Sequence, residues 1–254
     1  MEDLHDATAL EKKLILRASE NGIPISTTFE LTPTCNFKCG MCYIRLSQSR
    51  LDELGGWRSL EEWKATALEM KKMGTLFILL TGGEPLLYPD FPELYEFLCK
   101  EGFIITINTN GTLITPKIAL LWKNQLPRRV NITLYGASED TYEKLCHNRN
   151  GFQQTLKALS LMKAYSIPVK INFSMVKENQ HEYDKMMQIA SELGFPVVAD
   201  SYMLCKSNSM CLPARDINSH RLLPEDAAKF AVKQIAYEKG EHFEAFKEAW
   251  HKQM

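Results

Sequence analysis

The strongest constraint on the fold is a regular alternation of strand-like and helix-like stretches along the chain. Six short runs are rich in apolar, β-branched and aromatic residues, at positions 25–31, 75–80, 103–108, 129–134, 169–174 and 196–202. Stretches with helical character separate or follow them, at positions 59–73, 90–100, 116–124, 139–146, 152–165 and 181–193. Strands that alternate with helices of this length predict an α/β fold with a parallel sheet and right-handed crossovers.

Two ways of closing such a sheet fit the alternation: a doubly wound open sheet and a partial (β/α)6 barrel. A GxGxxG turn after the first strand would favour a dinucleotide-binding sheet, and this chain has none there. In both architectures the loops at the carboxyl ends of the strands carry the active site. We therefore expect functional residues in the loops that follow the first two strands, at positions 34–43 and 82–85.

The loop after the first strand contains Cys35, Cys39 and Cys42 in the spacing CxxxCxxC. Thiolates bind iron–sulfur clusters, zinc or copper(I) in preference to hard cations. A ferredoxin-type [4Fe–4S] cluster is held by four cysteines, so three would leave one iron open to another ligand. An open coordination position is typical of catalytic metal sites. The spacing therefore predicts a catalytic metal site in this loop.

Two structural interpretations compete with this prediction. The thiols could be small buried apolar side chains, or they could form a structural zinc site closed by Cys146, His147 or Cys205. Metal analysis after anaerobic purification separates the alternatives. Iron with sulfide indicates the catalytic cluster, and colourless protein with stoichiometric zinc indicates the structural site.

The composition argues against polyanionic and membrane partners. Among 254 residues, 30 lysines and arginines nearly balance 31 aspartates and glutamates, and the formal net charge is −1. This balance indicates neither nucleic acid nor an anionic membrane as a partner. No apolar run reaches the ~18 residues that span a bilayer, and the polar N-terminus lacks a secretory core. We expect a cytoplasmic protein with reduced cysteines.

The two ends of the chain are predicted to flank a single core. Apolar residues at helical spacing between positions 5 and 20 predict an amphipathic helix. We assign residues 1–21 to this helix, residues 22–240 to the core and residues 241–254 to a helical extension.

Two motifs together resemble the signature of the radical S-adenosylmethionine (radical SAM) enzymes. The first is CxxxCxxC followed by an aromatic residue, here Tyr43, and the second is Gly82-Gly83-Glu84-Pro85 at the end of the second strand. The resemblance implies a partial (β/α)6 TIM-like barrel. It also implies that the three cysteines hold a [4Fe–4S] cluster whose fourth iron is chelated by S-adenosylmethionine (SAM). The Gly-Gly-Glu-Pro segment is then the part of the chain that meets the methionine amine.

Three further positions are similar to residues that contact the cofactor in this family. Asn108 matches a polar residue of the third strand, Thr133 matches a fourth-strand contact to ribose or methionine, and Arg149 is a candidate partner for the methionine carboxylate. Without the resemblance, Asn108 reads as a turn-forming residue and Thr133 as an ordinary β-branched strand residue. Tyr135 departs from the pattern, since many peptide-modifying relatives have aspartate there.

The resemblance implies a reaction. A reduced cluster passes one electron to SAM, which yields methionine and a 5′-deoxyadenosyl radical that abstracts a substrate hydrogen. A reductant such as flavodoxin or ferredoxin is implied as a partner. Similarity to the peptide-modifying subgroup favours a peptide or protein substrate, and a small metabolite stays open.

The stretch from 133 to 163, with Asn172 and residues 213–225 after it, is similar to the subgroup that continues into a cysteine-rich SPASM or twitch domain with auxiliary clusters. This chain stops at Met254, so we expect the core alone. Cys99, Cys146, Cys205 and Cys211 lack a compact cluster spacing and are expected to be mostly buried thiols, with the last two as alternative ligands. A core that binds SAM and needs a partner polypeptide for turnover is therefore an alternative function.

Overall fold

A computed structural model describes residues 9–203 and 217–253 of the chain. Within these ranges six strands form one parallel sheet in the order β1-β2-β3-β4-β5-β6. The strands are β1 (Ser26–Glu30), β2 (Phe77–Thr81), β3 (Ile104–Thr109), β4 (Arg129–Thr133), β5 (Val169–Ser174) and β6 (Val197–Asp200). All six predicted strands are confirmed, with shifts of at most two residues at their ends.

Helices occupy the connections between the strands and both ends of the described chain. They are α1 (Ala9–Glu20), α2 (Gln48–Glu53), α3 (Leu60–Lys72), α4 (Phe91–Lys100), α5 (Pro116–Asn124), α6 (Glu139–Cys146), α7 (Gly151–Ala164), α8 (Tyr183–Leu193), α9 (Pro224–Lys239) and α10 (Phe243–Gln253). The patterns above do not predict α2 or α9. For α9 the signal was present, because Pro224 at the first helical position is followed by two acidic residues in the first turn. None of the helices in the described ranges has the length and apolar character needed to cross a bilayer.

The strand order decides between the two predicted closures. In a doubly wound sheet the order reverses at a switch point, whereas here every strand pairs in parallel with the next one in sequence. Residues from all six strands line one cavity of about 560 Å³. A sheet that surrounds a cavity with all of its strands is curved, so the architecture is that of a partial barrel.

The two faces of the curved sheet differ in polarity. The outer face carries apolar side chains that are at most 2% exposed: Ile78, Leu80, Ile105, Ile107, Val130, Ile132 and Ile171. These side chains belong to one core that also includes buried residues of the surrounding helices. The inner face is mainly polar along β3, β4 and β5, where Asn108, Asn131 and Asn172 line the cavity. A polar concave face can bind a polar ligand, and the apolar convex face holds the helices in place.

The edge strand β6 is covered by helix α9 through side-chain hydrogen bonds. Ala199 N donates to Gln234 Oε1 at 2.8 Å, and Gln234 Nε2 donates to Val197 O at 3.4 Å. Val197 N donates to the Tyr237 hydroxyl at 3.3 Å. These side chains satisfy backbone N–H and C=O groups of β6 that a further strand could otherwise pair with, so they block the addition of another strand at this edge.

Candidate active site

The Gly-Gly-Glu segment after β2 lies directly against the chain that enters the cysteine loop. Gly83 N donates to Thr32 O at 2.6 Å, and Glu84 N donates to Thr34 O at 2.9 Å. A Cβ on Gly82 or Gly83 would collide with these same two carbonyl oxygens. Gly82 also has φ +139°, a conformation that residues with side chains rarely adopt. The glycines are therefore needed for the close approach of the two motifs.

The carboxylate of Glu84 joins the end of β2 to the end of β3. Its Oε1 accepts from Thr109 Oγ1 at 2.7 Å and from Leu86 N at 3.1 Å, and its Oε2 accepts from Asn110 N at 2.8 Å. Glu84 is 0% exposed, and this burial raises its pKa to about 7 although the three donors oppose the shift. Pro85 is also buried and begins a short 3-10 turn. The Glu84 side chain thus has a structural role, and the contact of this segment with SAM stays a prediction.

Asn110 connects the end of β3 to the cysteine loop. Its Nδ2 donates to Asn36 Oδ1 at 2.8 Å and to Cys35 Sγ at 3.7 Å. Asn36 Nδ2 in turn donates to Thr112 Oγ1 at 2.8 Å. Sequence reasoning missed this role because Asn110-Gly111 has the composition of an ordinary turn. The only available signal was its position directly after a strand, where site residues collect.

The opposite side of the cysteine loop rests on the end of α6. Lys38 N donates to Cys146 O at 2.9 Å, and Gly40 N donates to Leu145 O at 3.0 Å. Phe37 is buried in the same region, and its ring makes edge contacts with Tyr135 at 5.8 Å and with Tyr142 at 6.1 Å between ring centroids. The loop is therefore fixed between β2 on one side and α6 on the other.

Two sulfurs of the loop, those of Cys35 and Cys42, accept hydrogen bonds from the backbone. Phe37 N donates to Cys35 Sγ at 3.4 Å, and Arg45 N donates to Cys42 Sγ at 3.3 Å. Burial raises the pKa of the Cys35 thiol to about 12. The pKa of the Cys39 thiol is lowered, chiefly because the Cys146 side chain hydrogen-bonds to it. Metal binding to this loop would have to displace the Cys35 proton, so it should depend on pH.

No group of three or more His, Cys, Asp or Glu side chains in the described ranges has the arrangement of a metal site. The donor set nevertheless fits a thiolate-bound cluster. Its sulfurs come from one loop, and two of them already accept backbone hydrogen bonds of the kind that tune ligand sulfurs. Of the residues proposed to close a zinc site, Cys146 contacts Cys39, and Cys205 lies outside the described residues, as does Cys211. The prediction of buried thiols is confirmed for Cys146, and Cys99 is half-buried.

The other predicted cofactor residues fall in two places. Asn108 and Thr133 line the barrel cavity, and Asn108 Oδ1 accepts from Asn131 Nδ2 at 2.7 Å. Tyr43 adjoins Cys42 in sequence and is 61% exposed. The Arg149 side chain is 56% exposed and pairs with Asp140 at 2.7 Å and with Glu139 at 3.3 Å on the surface of α6. The structure thus gives Arg149 surface partners on α6, and its predicted contact with the methionine carboxylate stays a prediction.

The comparison with known families agrees with this geometry. The sequence model of the Radical SAM superfamily matches residues 29–190, which is more than half of the chain. The chain belongs to the radical SAM superfamily. The matched span contains the three cysteines of the loop and the Gly-Gly-Glu-Pro segment.

Relatives of this radical SAM chain carry the names of enzymes and of a biosynthesis protein. It is 28% identical over 231 residues to the antilisterial bacteriocin subtilosin biosynthesis protein AlbA of Bacillus subtilis, covering 87% of this chain and 51% of AlbA. It is 30% identical over 182 residues to the Fe-coproporphyrin III synthase of Methanosarcina barkeri, covering 72% of this chain and 44% of the synthase. The chain therefore spans about half the length of these relatives.

Solved structures confirm the predicted fold. SuiB of Streptococcus suis superposes with a TM-score of 0.62 at 16% identity, over 82% of this chain and 46% of SuiB. The anSMEcpe protein with bound AdoMet superposes with a TM-score of 0.63 at 19% identity, over 84% of this chain and 59% of anSMEcpe. Together with the consecutive strand order, these likenesses confirm the partial (β/α)6 barrel of the radical SAM core.

Proposed function

We propose that this chain is the core of a radical SAM enzyme that binds a [4Fe–4S] cluster and SAM at the carboxyl ends of its strands. The observation that carries the proposal is the pair of hydrogen bonds from Gly83 N and Glu84 N to the carbonyls of Thr32 and Thr34. This pairing brings the segment expected to meet the methionine amine next to Cys35. Cluster and cofactor sites that must share one iron require such proximity.

Different residues of the chain would bind the cluster and orient SAM. Cys35, Cys39 and Cys42 would hold the cluster, and the Gly82–Pro85 segment would face the methionine end of SAM. Asn108 and Thr133 line a cavity of about 560 Å³, which lies in the range of small-molecule sites. When bound, the cluster supplies the electron for reductive cleavage of SAM to a 5′-deoxyadenosyl radical that abstracts a substrate hydrogen.

A peptide or protein is the substrate class that the relatives favour. AlbA is named for bacteriocin biosynthesis, and another relative is named PqqA peptide cyclase. SuiB has been solved with its precursor peptide SuiA. We extend this substrate class to the present chain, with a flavodoxin or ferredoxin as reductant, a cytoplasmic location and a core that spans residues 22–240.

The test is the formation of 5′-deoxyadenosine. Protein reconstituted anaerobically with iron and sulfide is mixed with SAM and a chemical reductant, and the product is quantified by chromatography. Cys35→Ala, Cys39→Ala or Cys42→Ala should lower its formation at least a hundredfold, because each removes a ligand of the cluster. Cys99→Ala removes a half-buried thiol of α4 and should leave formation unchanged.

Two results would contradict the proposal. Full activity in any of the three loop variants would exclude the assigned ligands. Colourless wild-type protein with one zinc ion per chain would favour the structural zinc site instead. Turnover that appears only after a partner polypeptide is added would identify the chain as an incomplete core.

A further inference from the structure

The side chain of Asn110 donates a hydrogen bond to one of the sulfurs proposed to hold the cluster. Asn110 directly follows β3 and is 5% exposed. Its Nδ2 donates to Cys35 Sγ at 3.7 Å and to Asn36 Oδ1 at 2.8 Å. Cys35 Sγ also accepts from Phe37 N at 3.4 Å. A substitution of Asn110 therefore removes its own bond to the sulfur and leaves the bond from the backbone in place.

The orientation of the Asn110 amide follows from its contacts with Thr112. Thr112 N donates to Asn110 Oδ1 at 2.9 Å, and Thr112 Oγ1 donates to the same oxygen at 2.7 Å. A backbone N–H group can only donate, so the amide oxygen must face Thr112. A flipped amide would place its nitrogen against Thr112 N and its oxygen against the sulfur. The donor of the amide is therefore directed at Cys35.

The backbone of Asn110 is anchored by two buried side chains. Asn110 N donates to Glu84 Oε2 at 2.8 Å, and Asn110 O accepts from Thr155 Oγ1 at 3.3 Å. Glu84 and Thr155 are both 0% exposed. These contacts come from the turn after β2 and from α7, and neither belongs to the cysteine loop. The amide is thus placed by the packing of the barrel before it meets the sulfur.

The bond from Asn110 to Cys35 has a consequence for a cluster held by the loop. Hydrogen bonds to ligand sulfurs are one determinant of the reduction potential of an iron–sulfur cluster. A donor stabilises the more negative, reduced cluster more than the oxidised one, so it raises the potential. The effect is larger for a buried donor, because the effective dielectric constant around it is low. We infer that Asn110 is a positioning residue that directs a hydrogen bond at Cys35 and thereby raises the reduction potential of the cluster.

This inference rests on the proposed function, since it concerns a cluster held by Cys35. The competing interpretation is a purely structural role, because Asn110 also bonds to Asn36 and Thr112. Stability and reduction potential separate the two roles. Loss of a structural bond lowers the free energy of unfolding, whereas loss of a donor to the sulfur also changes the potential.

The experiment compares Asn110→Ala and Asn110→Asp with wild type. Asn110→Asp keeps the oxygen that accepts from Thr112 N and places a carboxylate oxygen where the donor to the sulfur was. The first control is Thr112→Val, which removes a hydroxyl of the same network and keeps the N–H that orients the Asn110 amide. The second is Asn21→Ala, which removes an exposed amide that donates to Arg17 O at the end of α1.

Three properties of each protein are measured. The free energy of unfolding is measured in urea before reconstitution. Each protein is then reconstituted anaerobically with iron and sulfide, and its content of both is determined. The midpoint potential is obtained by redox titration followed by electron paramagnetic resonance. None of these readouts depends on turnover.

We expect every variant to bind iron and sulfide as wild type does. Asn110→Ala should have a more negative midpoint potential, because the sulfur loses a donor. Asn110→Asp should shift further in the same direction, since a negative charge then faces the sulfur. Thr112→Val should be less stable than wild type but should keep its potential, and Asn21→Ala should also keep it. If Asn110→Ala does not fold, the comparison of Asn110→Asp with Thr112→Val provides the test.

Three results would overturn the inference and leave the proposed function intact. The first is a wild-type potential in either folded Asn110 variant. The second is an equal shift in Thr112→Val and Asn110→Ala, which would show that the network and not the donor causes it. The third is loss of iron from both Asn110 variants, which would assign Asn110 to cluster assembly instead. Wild-type protein that takes up no iron and sulfide would refute the proposed function itself.

Discussion

At the scale of single residues, Glu84 has the most unusual environment of the motif residues. It is fully buried, and its three hydrogen-bond donors come from the turn after β2 and from the end of β3. A buried carboxyl group prefers its neutral form unless its donors compensate for the lost hydration. Here burial outweighs the donors, and the pKa rises from 4.5 to about 7.

The raised pKa of Glu84 predicts a pH dependence of stability. Between pH 4.5 and 7 the folded state retains a proton that the unfolded state has lost, so the free energy of unfolding falls as pH rises. The contribution is fully present below 4.5 and is lost above 7, with a slope of at most about 1.4 kcal/mol per pH unit. Urea unfolding at several pH values measures it.

Glu84→Gln should remove this slope, because glutamine does not titrate. The exposed carboxylate of Glu53, paired with Arg50 on the surface, provides a control, and Glu53→Gln should keep the wild-type slope. A Glu84→Gln protein with an unaltered pH profile would show that another group causes the dependence.

At the scale of elements, the end of β2 approaches the chain after β1 more closely than side chains allow. The backbone of Gly82 and Gly83 packs on the carbonyls of Thr32 and Thr34. Loop and strand are thereby joined without intervening side chains. The placement of the cysteine loop depends on this contact.

Gly82→Ala should destabilise the protein through both strain and collision. Gly102 is a suitable control, because it has φ +84° and open space where a Cβ would lie. Gly102→Ala should cost about 1–2 kcal/mol from backbone strain alone. Gly82→Ala should cost more and should also reduce iron uptake, as measured by urea unfolding and metal analysis. An equal loss of unfolding free energy in Gly82→Ala and Gly102→Ala would argue against a collision of the added Cβ with the neighbouring backbone.

The contact between α9 and β6 predicts a second effect at this scale. Gln234→Ala leaves the buried amide of Ala199 without its partner, which should lower the free energy of unfolding by about 1–3 kcal/mol. Gln188 lies on the exposed face of α8 and bonds to Glu192, so Gln188→Ala should change stability by less than about 0.5 kcal/mol. Similar values for both variants would show that α9 does not secure the edge.

At the scale of the whole molecule, residues from all six strands of the curved sheet line one polar cavity. Asn131 Nδ2 donates to Asn108 Oδ1 at 2.7 Å, and Arg129 Nε donates to Asn131 Oδ1 at 2.9 Å. These bonds connect two strands across the inner face. Such a network orients polar groups toward a ligand in the cavity.

The cavity predicts that Thr133 contributes to SAM affinity. Thr133→Val keeps the shape of the side chain and removes the hydroxyl, so SAM should bind up to about tenfold more weakly. Equilibrium dialysis with the reconstituted protein measures the affinity. Thr66→Val alters a hydroxyl that donates within α3 and should bind SAM like wild type. Wild-type affinity in Thr133→Val would exclude Thr133 as a contact.

The sequence by itself determined the six strands, most of the helices and the residue types of the two motifs. Strands and helices follow from local periodicity and from turn residues, and the cysteine spacing and the Gly-Gly-Glu-Pro segment are local as well. The sequence did not decide between the open sheet and the partial barrel, because periodicity does not specify which strands become neighbours. The consecutive strand order in the tertiary structure decided it.

Contacts between residues far apart in the chain also required the tertiary structure. The contacts of Glu84 with Asn110 and of Cys146 with Cys39 depend on strand register and on packing between elements, which local patterns do not encode. Arg149 was selected by sequence position alone, and the fold turns it toward carboxylates on α6. The local sequence thus determined which chemical groups were available, and long-range packing determined which of them come into contact.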